Sequence, residues 1–466
     1  MEEGDTMAMG RMERGDHEQG QWDHEQGQEE NNQLQGDRDQ LQGDHDRRLV
    51  VILDDDPTGT QTVSDVQVIL TPDREAYRAF IRRGVRAVYV LTNTRAMPED
   101  EARRLVGTIR SEMEEEAAEA GVRVTFVLRG DSTLRGHVFA EIDELAGANS
   151  VALFVPAFPE GGRTTVGGVH YLQQEGVKVP VCRTEFARDA VFGYRSERLA
   201  DWSMEIRHGR PAVTIPLERL RADGAIAVAR VLLDAPHGFV VIPDAETSED
   251  LERVAAGLQL AETARRHVVV RSASSFAAIR AGLRGRDAVL PARAEQLLIV
   301  CGSHTAASTK QLNRLAEAWS LAPVVLPTAG IVGSDRETAL AAAEAALRDQ
   351  LGNRGVAVLA TERIRQEGDQ SLETGKLVMS ALTDVVRRVA READAIVSKG
   401  GITSAQIATD GLGARTAFVL GQLEAGVSLW ELDVPGRGAF PYAVIPGNVG
   451  DEGTLLRIVE RFRRRT

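Results

Sequence analysis

Short runs of consecutive apolar residues alternate along most of the chain with longer stretches of helical period. Leu49–Leu53 (LVVIL) is such a run, ending in Asp54-Asp55-Asp56, and Ala87–Leu91 (AVYVL) is another. Runs of this length bounded by turn residues read as strands buried on both faces, as parallel strands are. Between them lies the other period. In Glu99–Ala120 the apolar residues fall at Ala102, Leu105, Val106, Ile109 and Met113, with acids in the first turn and Gly121 after the end. That spacing predicts an amphipathic helix. Val122–Leu128, Val151–Pro156, Phe239–Ile242 and Val268–Val270 continue the strand series, with a helix predicted at 249–265.

Leu283–Glu295 (LRGRDAVLPARAE) has weak periodicity and a proline, so the domain boundary is placed there. A second series follows it. Strands are predicted at Leu297–Cys301, Pro323–Leu326, Val356–Ala360, Ala395–Ser398 and Tyr442–Ile445. Helices start at Thr305, span about 336–351, carry Val378, Leu382, Val385 and Val389 on one face, and close the chain at Leu455–Phe462. The fold class is α/β, with a first domain over 47–282, a linker over 283–295 and a second domain over 296–466. Each domain is expected to hold a mostly parallel sheet flanked by helices. Ligands gather beyond the carboxyl ends of such strands, which puts the active site in the cleft between the domains.

Charge changes the picture once. The 466 residues carry a formal charge of −14, but residues 1–46 hold fourteen acids against three arginines. The other 420 residues hold 55 acids and 52 bases, a nearly even balance. The acidic stretch contains near-repeats (DHEQGQ twice, then LQGDRD and LQGDHD) and few aromatics, so it reads as a disordered tail. No large basic surface remains for nucleic acid. No apolar window is long enough for a membrane span, and two distant cysteines, Cys182 and Cys301, fit a reducing cytoplasm. A homodimer is the default expectation for assembly.

The chemistry-bearing residues cluster after strands. Three adjacent carboxylates on a buried strand end (Asp54–Asp56, then Pro57-Thr58-Gly59) are costly without a cation, a base or a ligand. Arg129-Gly130-Asp131-Ser132-Thr133-Leu134-Arg135-Gly136-His137 combines two guanidinium forks with an acid and hydroxyls, which suits a small polyhydroxylated anion; the structural alternative is that Arg129 only pairs with one of Asp54–Asp56. Pro156–Thr165 adds a third loop, with Arg163 and Thr164. The second domain offers glycine turns at 301–309 (CGSHTAAST), 398–406 (SKGGITSAQ) and 446–454 (PGNVGDEGT), the first two opening helices. Free backbone N–H groups at such turns favour phosphate, and Lys399 adds a cation. No GxxxxGK[ST] occurs, and no GxGxxG follows a strand. Acids and hydroxyls in one domain and phosphate turns in the other point to phosphoryl transfer to a small hydroxy compound. A nicotinamide-dependent hydroxy-acid dehydrogenase and a non-enzymatic sugar-acid sensor are the competing readings.

DDDPTGTQTV, RGDSTLRGH, PAFPEGGRTT, CGSHTAASTKQL, SKGGITS and PGNVGDEG, in that order, closely resemble the four-carbon acid sugar kinases over roughly residues 48–463. The resemblance implies ATP-dependent phosphorylation of the terminal C4 hydroxyl of threonate, erythronate or 3-oxo-tetronate, with Mg2+. It assigns the acid motif to Asp55, Asp56 and Thr58, and the Arg-Gly-Asp-Ser motif to Arg129, Asp131, Ser132 and Arg135. One of Asp55, Asp56 and Asp131 is expected to act on the hydroxyl, while Arg129 and Arg135 hold the substrate carboxylate. ATP contacts are expected at Ser303, Gly400, Gly401, Ile402, Thr403 and Gly447, with Lys399 beside the phosphates. Ile402 stands where many relatives carry Glu.

Overall fold

The computed structural model describes residues 47–147, 150–174, 176–333, 335–363 and 372–464. The acidic stretch 1–46, read above as a disordered tail, lies outside the described residues. The first half of the chain contains strands β1 (Arg48–Asp54), β2 (Val66–Ile69), β3 (Ala87–Leu91), β4 (Arg123–Arg129), β5 (Val151–Val155), β6 (Arg163–Val166), β7 (Val169–Gln174), β8 (Val177–Pro180), β9 (Ala212–Ile215), β10 (Val240–Pro243) and β11 (Val268–Ser272). The second half contains β12 (Leu297–Cys301), β13 (Val324–Leu326), β14 (Val356–Thr361), β15 (Ala395–Lys399), β16 (Thr416–Glu424), β17 (Val427–Val434) and β18 (Gly438–Ile445).

Each half has the α/β architecture that the apolar runs predict, and the central strands β1, β3, β5, β12 and β15 carry almost wholly buried residues. The predicted long helix is present at Glu99–Glu119, with Glu99, Asp100 and Glu101 in its first turn, where acids complement the dipole. The sheets do not stay separate, however. They merge into fifteen strands in the order β13-β14-β12-β15-β18-β17-β16-β2-β3-β1-β4-β11-β5-β10-β9, while β6, β7 and β8 form a small antiparallel sheet of their own. The seam is the antiparallel pairing of β2 with β16, from Thr416 opposite Ile69 to Val419 opposite Val66. β16, β17 and β18 form a meander that the sequence does not announce beyond Tyr442–Ile445, because Thr416–Glu424 carries Phe and Leu on its half-exposed face.

Along this sheet the parallel strands of the second half run opposite to those of the first. In a flat sheet their carboxyl ends would lie at opposite edges. At the usual twist of about 20–25° per neighbouring pair, the six steps from β1 to β15 would accumulate roughly 130°, enough to bring the two carboxyl edges to the same side of the sheet. The short helix Pro57–Thr62 crosses the seam and is tied to the second half, where Trp430 Nε1 donates to Thr60 Oγ1 at 2.9 Å and Gln422 Nε2 to the Gln61 carbonyl at 2.7 Å. Among the described residues no helix is long and apolar enough to cross a membrane.

Candidate active site

The carboxyl end of β1 delivers Asp54, Asp55 and Asp56, each at most 3% exposed, with carboxylate oxygens within 4.8 Å of one another. Such a triad cannot stay ionised and buried without cations. Arg129, at the end of the neighbouring β4, supplies one: its Nη1 is 2.9 Å from Asp54 Oδ1, 3.0 Å from Asp56 Oδ1 and 3.6 Å from Asp55 Oδ1, and Nη2 donates to Thr58 Oγ1 at 3.2 Å. Thr58 in turn donates its backbone N–H to Asp56 Oδ1 at 2.7 Å, so Asp56 caps the short helix that follows. Arg129 is therefore sealed beneath the acids. The expectation that it grips a substrate carboxylate gives way to a role in compensating the triad.

Three more arginines complete the cluster. Arg271, buried on β11, ion-pairs with Glu141 and reaches Asp55 Oδ2 at 3.4 Å. Arg95, after β3, ion-pairs with Asp56 and lies 3.5 Å from Asp131 Oδ1. Arg135 donates Nε to Asp131 Oδ2 at 2.7 Å and stacks over Phe186 at 5.0 Å. The sequence motifs contain Arg129 and Arg135 but neither Arg95 nor Arg271. Both stand at carboxyl ends of strands, a signal that was available but not distinctive. The Arg129–His137 loop is fixed from behind by His170, whose Nε2 lies 2.8 Å from the Ser132 carbonyl, and by Tyr194, whose hydroxyl donates to the Thr133 carbonyl at 2.9 Å. Burial depresses His170 to about 4, so it is a neutral strut there.

The acids differ electrostatically. Burial pushes Asp54 up to about 7 against the pull of Arg129. Burial would raise Asp131 too, but Arg135, Arg95 and a hydrogen bond from Thr133 outweigh it and hold Asp131 well below the ordinary carboxylate range. Asp55 Oδ1 is buried and accepts no hydrogen bond. A bare carboxylate oxygen of this kind, among two other acids, suits a hard divalent cation.

In the second half, the three glycine turns converge. The N–H groups of Gly302 and Ser303 donate to the Lys399 carbonyl at 3.2 and 3.3 Å, and the Gly400 N–H donates to the Ile445 carbonyl at 2.8 Å. Thr305 Oγ1 and Ser308 Oγ donate to the Gly447 carbonyl at 2.6 and 3.0 Å, and Ser308 Oγ lies 2.8 Å from Ser303 Oγ. Gly400 adopts φ +118°, which disfavours any residue with a Cβ. Thr403 is buried and Ile402 is 39% exposed beside it. Arg363, which the sequence did not single out, donates to the Ser303 carbonyl at 2.7 Å and to Thr361 Oγ1 at 2.8 Å.

Lys399 is wholly buried, and its Nζ donates to the Pro446 carbonyl at 2.8 Å. It props the third turn from below instead of presenting its ammonium at the surface. Burial depresses it to about 8 from 10.5. Because the folded protein holds this proton less tightly than the unfolded chain does, the group destabilises the fold below pH 8, and the penalty fades as pH rises from 8 toward 10.5. Lys399→Met is thus expected to raise the melting temperature at pH 7, with the gain over the native protein shrinking between pH 8 and 10.5 in a thermal-denaturation series.

Beyond the sheet seam, the acid cluster and the glycine turns touch through Asp56 and Gly401. A Cβ built on Gly401 would lie 3.0 Å from Asp56 Oδ2 and 3.2 Å from its Cγ, so the Asp56 carboxylate sits close against the second turn and a larger residue there would push it back by a few tenths of an ångström. Beside the contact a cleft of about 420 Å³ opens between the domains, lined by Phe158, Glu160, Arg163 and Phe186 on one side and Thr305, Gly426, Asn448 and Val449 on the other. The acid cluster and the glycine turns singled out from sequence are linked through the Asp56–Gly401 contact, while neither Asp54–Asp56, Asp131 nor the Gly400–Thr403 turn lines the cleft itself.

Known proteins show the same division. Residues 50–280 match a family model described as a sugar-binding N-terminal domain, and residues 298–455 match one described as a nucleotide-binding C-terminal domain. The chain is similar to the D-erythronate kinase of Heliobacterium modesticaldum, 30% identical over 293 residues that make up 58% of this chain and 61% of that protein. It is also similar to the D-threonate kinase of Bordetella bronchiseptica, 28% identical over 389 residues, 82% of this chain and 88% of the relative. A crystal structure of a Salmonella typhimurium protein described as a tRNA synthase superposes with a TM-score of 0.62 at 18% identity, covering 88% of this chain and 98% of that one. At that identity the likeness concerns the fold.

Proposed function

The chain belongs to the four-carbon acid sugar kinases, and on that footing we propose that it transfers the γ-phosphoryl group of ATP to the C4 hydroxyl of a four-carbon sugar acid such as threonate, erythronate or 3-oxo-tetronate. The observation that carries this reading is the seating of the Asp56 carboxylate directly against the Gly400-Gly401 turn. Phosphoryl transfer demands little covalent chemistry from a protein. It needs the acceptor oxygen aligned with the phosphorus and the charge on the phosphates offset.

Asp56 is the group placed to orient the acceptor hydroxyl and take its proton as the bond to phosphorus forms. Asp131, held ionised by Arg135 and Arg95, and Ser132 are placed to bind the remaining hydroxyls. The Gly400–Thr403 turn, with the Ser303 and Gly447 turns packed beside it, would cradle the phosphates at the opening of its helix, over the buried charge of Lys399. Asp55, with its bare Oδ1 and the neighbouring acids, would hold Mg2+, which neutralises charge on the phosphates when bound. The arginines explain how so acidic a site admits an anionic substrate: four guanidiniums stand against Asp54, Asp55, Asp56, Asp131 and Glu141.

An ATP-consumption assay against the separated stereoisomers of threonate, erythronate and 3-oxo-tetronate tests the reading. Stoichiometric ADP release with one of these acids is the expected result. ATP left intact with all of them would overturn it.

A further inference from the structure

The arginines around the acids are committed, and one arginine at the cleft is not. Arg129, Arg271, Arg95 and Arg135 each face at least one carboxylate within ion-pair distance. Arg163, on β6, is only 5% exposed, yet among the described residues no acid lies within that distance. Its Nη1 donates to the Gly161 carbonyl, its guanidinium lies 5.6 Å from the Phe158 ring centre, and its Nε is buried with no acceptor. The nearby acid does not answer it, because Glu160 is turned to the hydroxyls of Ser275 (2.5 Å) and Ser248 (3.2 Å). Burial pulls the Arg163 pKa down, with Asp131 only partly opposing. A buried guanidinium without an anion is a costly arrangement, and it becomes economical when a ligand supplies the anion.

Position says which ligand. Arg163 lines the 420 Å³ cleft beside Phe158 and Phe186, facing Thr305 and Asn448 of the other domain. β6 pairs with β7, and His170 on β7 holds the Ser132 carbonyl, so the guanidinium is rigidly placed relative to the loop that binds substrate hydroxyls.

We propose that Arg163 is the residue that binds the carboxylate of the substrate acid, and so sets the preference for acids over neutral polyols. The inference rests on the kinase reading for the identity of the ligand, and it reassigns to Arg163 the task expected of Arg129 and Arg135. The two oxygens of a carboxylate match the guanidinium fork, and aromatic walls exclude water around the pair.

Direct binding separates this inference from the reading beneath it. Calorimetric titration of D-threonate and D-erythronate, each with threitol or erythritol as the neutral counterpart, is carried out on the full chain and on Arg163→Gln. The expected result is a Kd for the bound acid raised roughly 10- to 100-fold, the value of a charge-assisted pair, with the acid-to-polyol preference falling toward one. Arg163→Lys, which keeps the charge but loses the fork, should lie between the two. Far-ultraviolet dichroism and the melting temperature confirm that the variants fold. If they do not, the native protein alone decides through its affinity for threonate against threonamide, where equal affinity overturns the proposal. An unchanged Kd for the acid in Arg163→Gln also overturns it, as does a loss confined to ATP, which would make Arg163 a phosphate ligand. A native protein that binds acids through Arg163 but leaves ATP intact would leave this inference standing while removing the kinase reading.

Discussion

Replacing Asp56 with Asn is expected to lower kcat by about 10²- to 10⁴-fold, the range for loss of a positioned general base, with ATP affinity nearly unchanged. The asymmetry follows from where Asp56 sits. Its carboxylate belongs to the sugar half yet meets Gly401 of the nucleotide half, so it is the first-domain group placed to touch the acceptor oxygen and the transferred group together. Asn keeps the shape and an acceptor oxygen for the Thr58 N–H, so the cap on the helix Pro57–Thr62 survives and the fold should be little disturbed. Rapid-quench measurement of the chemical step, beside titration of a nonhydrolysable ATP analogue, separates the two quantities. Near-native turnover in Asp56→Asn would remove Asp56 from the chemistry. Asp131→Asn is the informative contrast. Asp131 is paired with Arg135 and Arg95 on the sugar side and is not the carboxylate that meets Gly401, so its loss should act mainly on KM for the acid.

The acid triad, the Arg129–His137 loop and all three glycine turns were legible because they follow apolar runs that can only be buried strands. The rule that ligands collect at carboxyl ends of strands then selects these residues without tertiary information. What stayed hidden is pairing. The sequence allows Arg129 either a substrate carboxylate or one of Asp54–Asp56 as its partner, and only the register of β1 with β4, which sets Asp54 directly opposite Arg129, makes the guanidinium a counter-ion. Lys399 beside two glycines looks like a phosphate ligand, yet it continues the buried strand β15 and points into the interior. The join at β2 and β16 was equally out of reach. Val66–Ile69 spans four residues, and its partner lies some 350 positions further along the chain, so no local pattern links them. Arg163 was visible as a residue of a polar loop. Only its burial without an acid distinguishes it from the other arginines.

Removing Arg271 is expected to have the largest effect on stability. Arg271 lies on β11 between two acids from different elements, Glu141 on the helix Val138–Leu145 and Asp55 at the end of β1, and all three are nearly inaccessible. Arg271→Met keeps much of the apolar stem but leaves two buried carboxylates facing each other across the vacated fork. Breaking a buried pair by deleting one partner costs about 3–5 kcal/mol, because the stranded charge is neither hydrated nor compensated. At about 2–4 °C per kcal/mol, the melting temperature should fall by roughly 10 °C, read by calorimetry at neutral pH. The remedy identifies the cause. Adding Glu141→Gln to Arg271→Met removes one stranded charge, so the double variant should melt above the single one even though it has lost both partners. A single variant that melts with the native protein, or a double variant no better than the single, would show that the carboxylates find other compensation. In that case the charge balance inferred for the acid site would have to be redrawn around Arg129 and Arg95 alone.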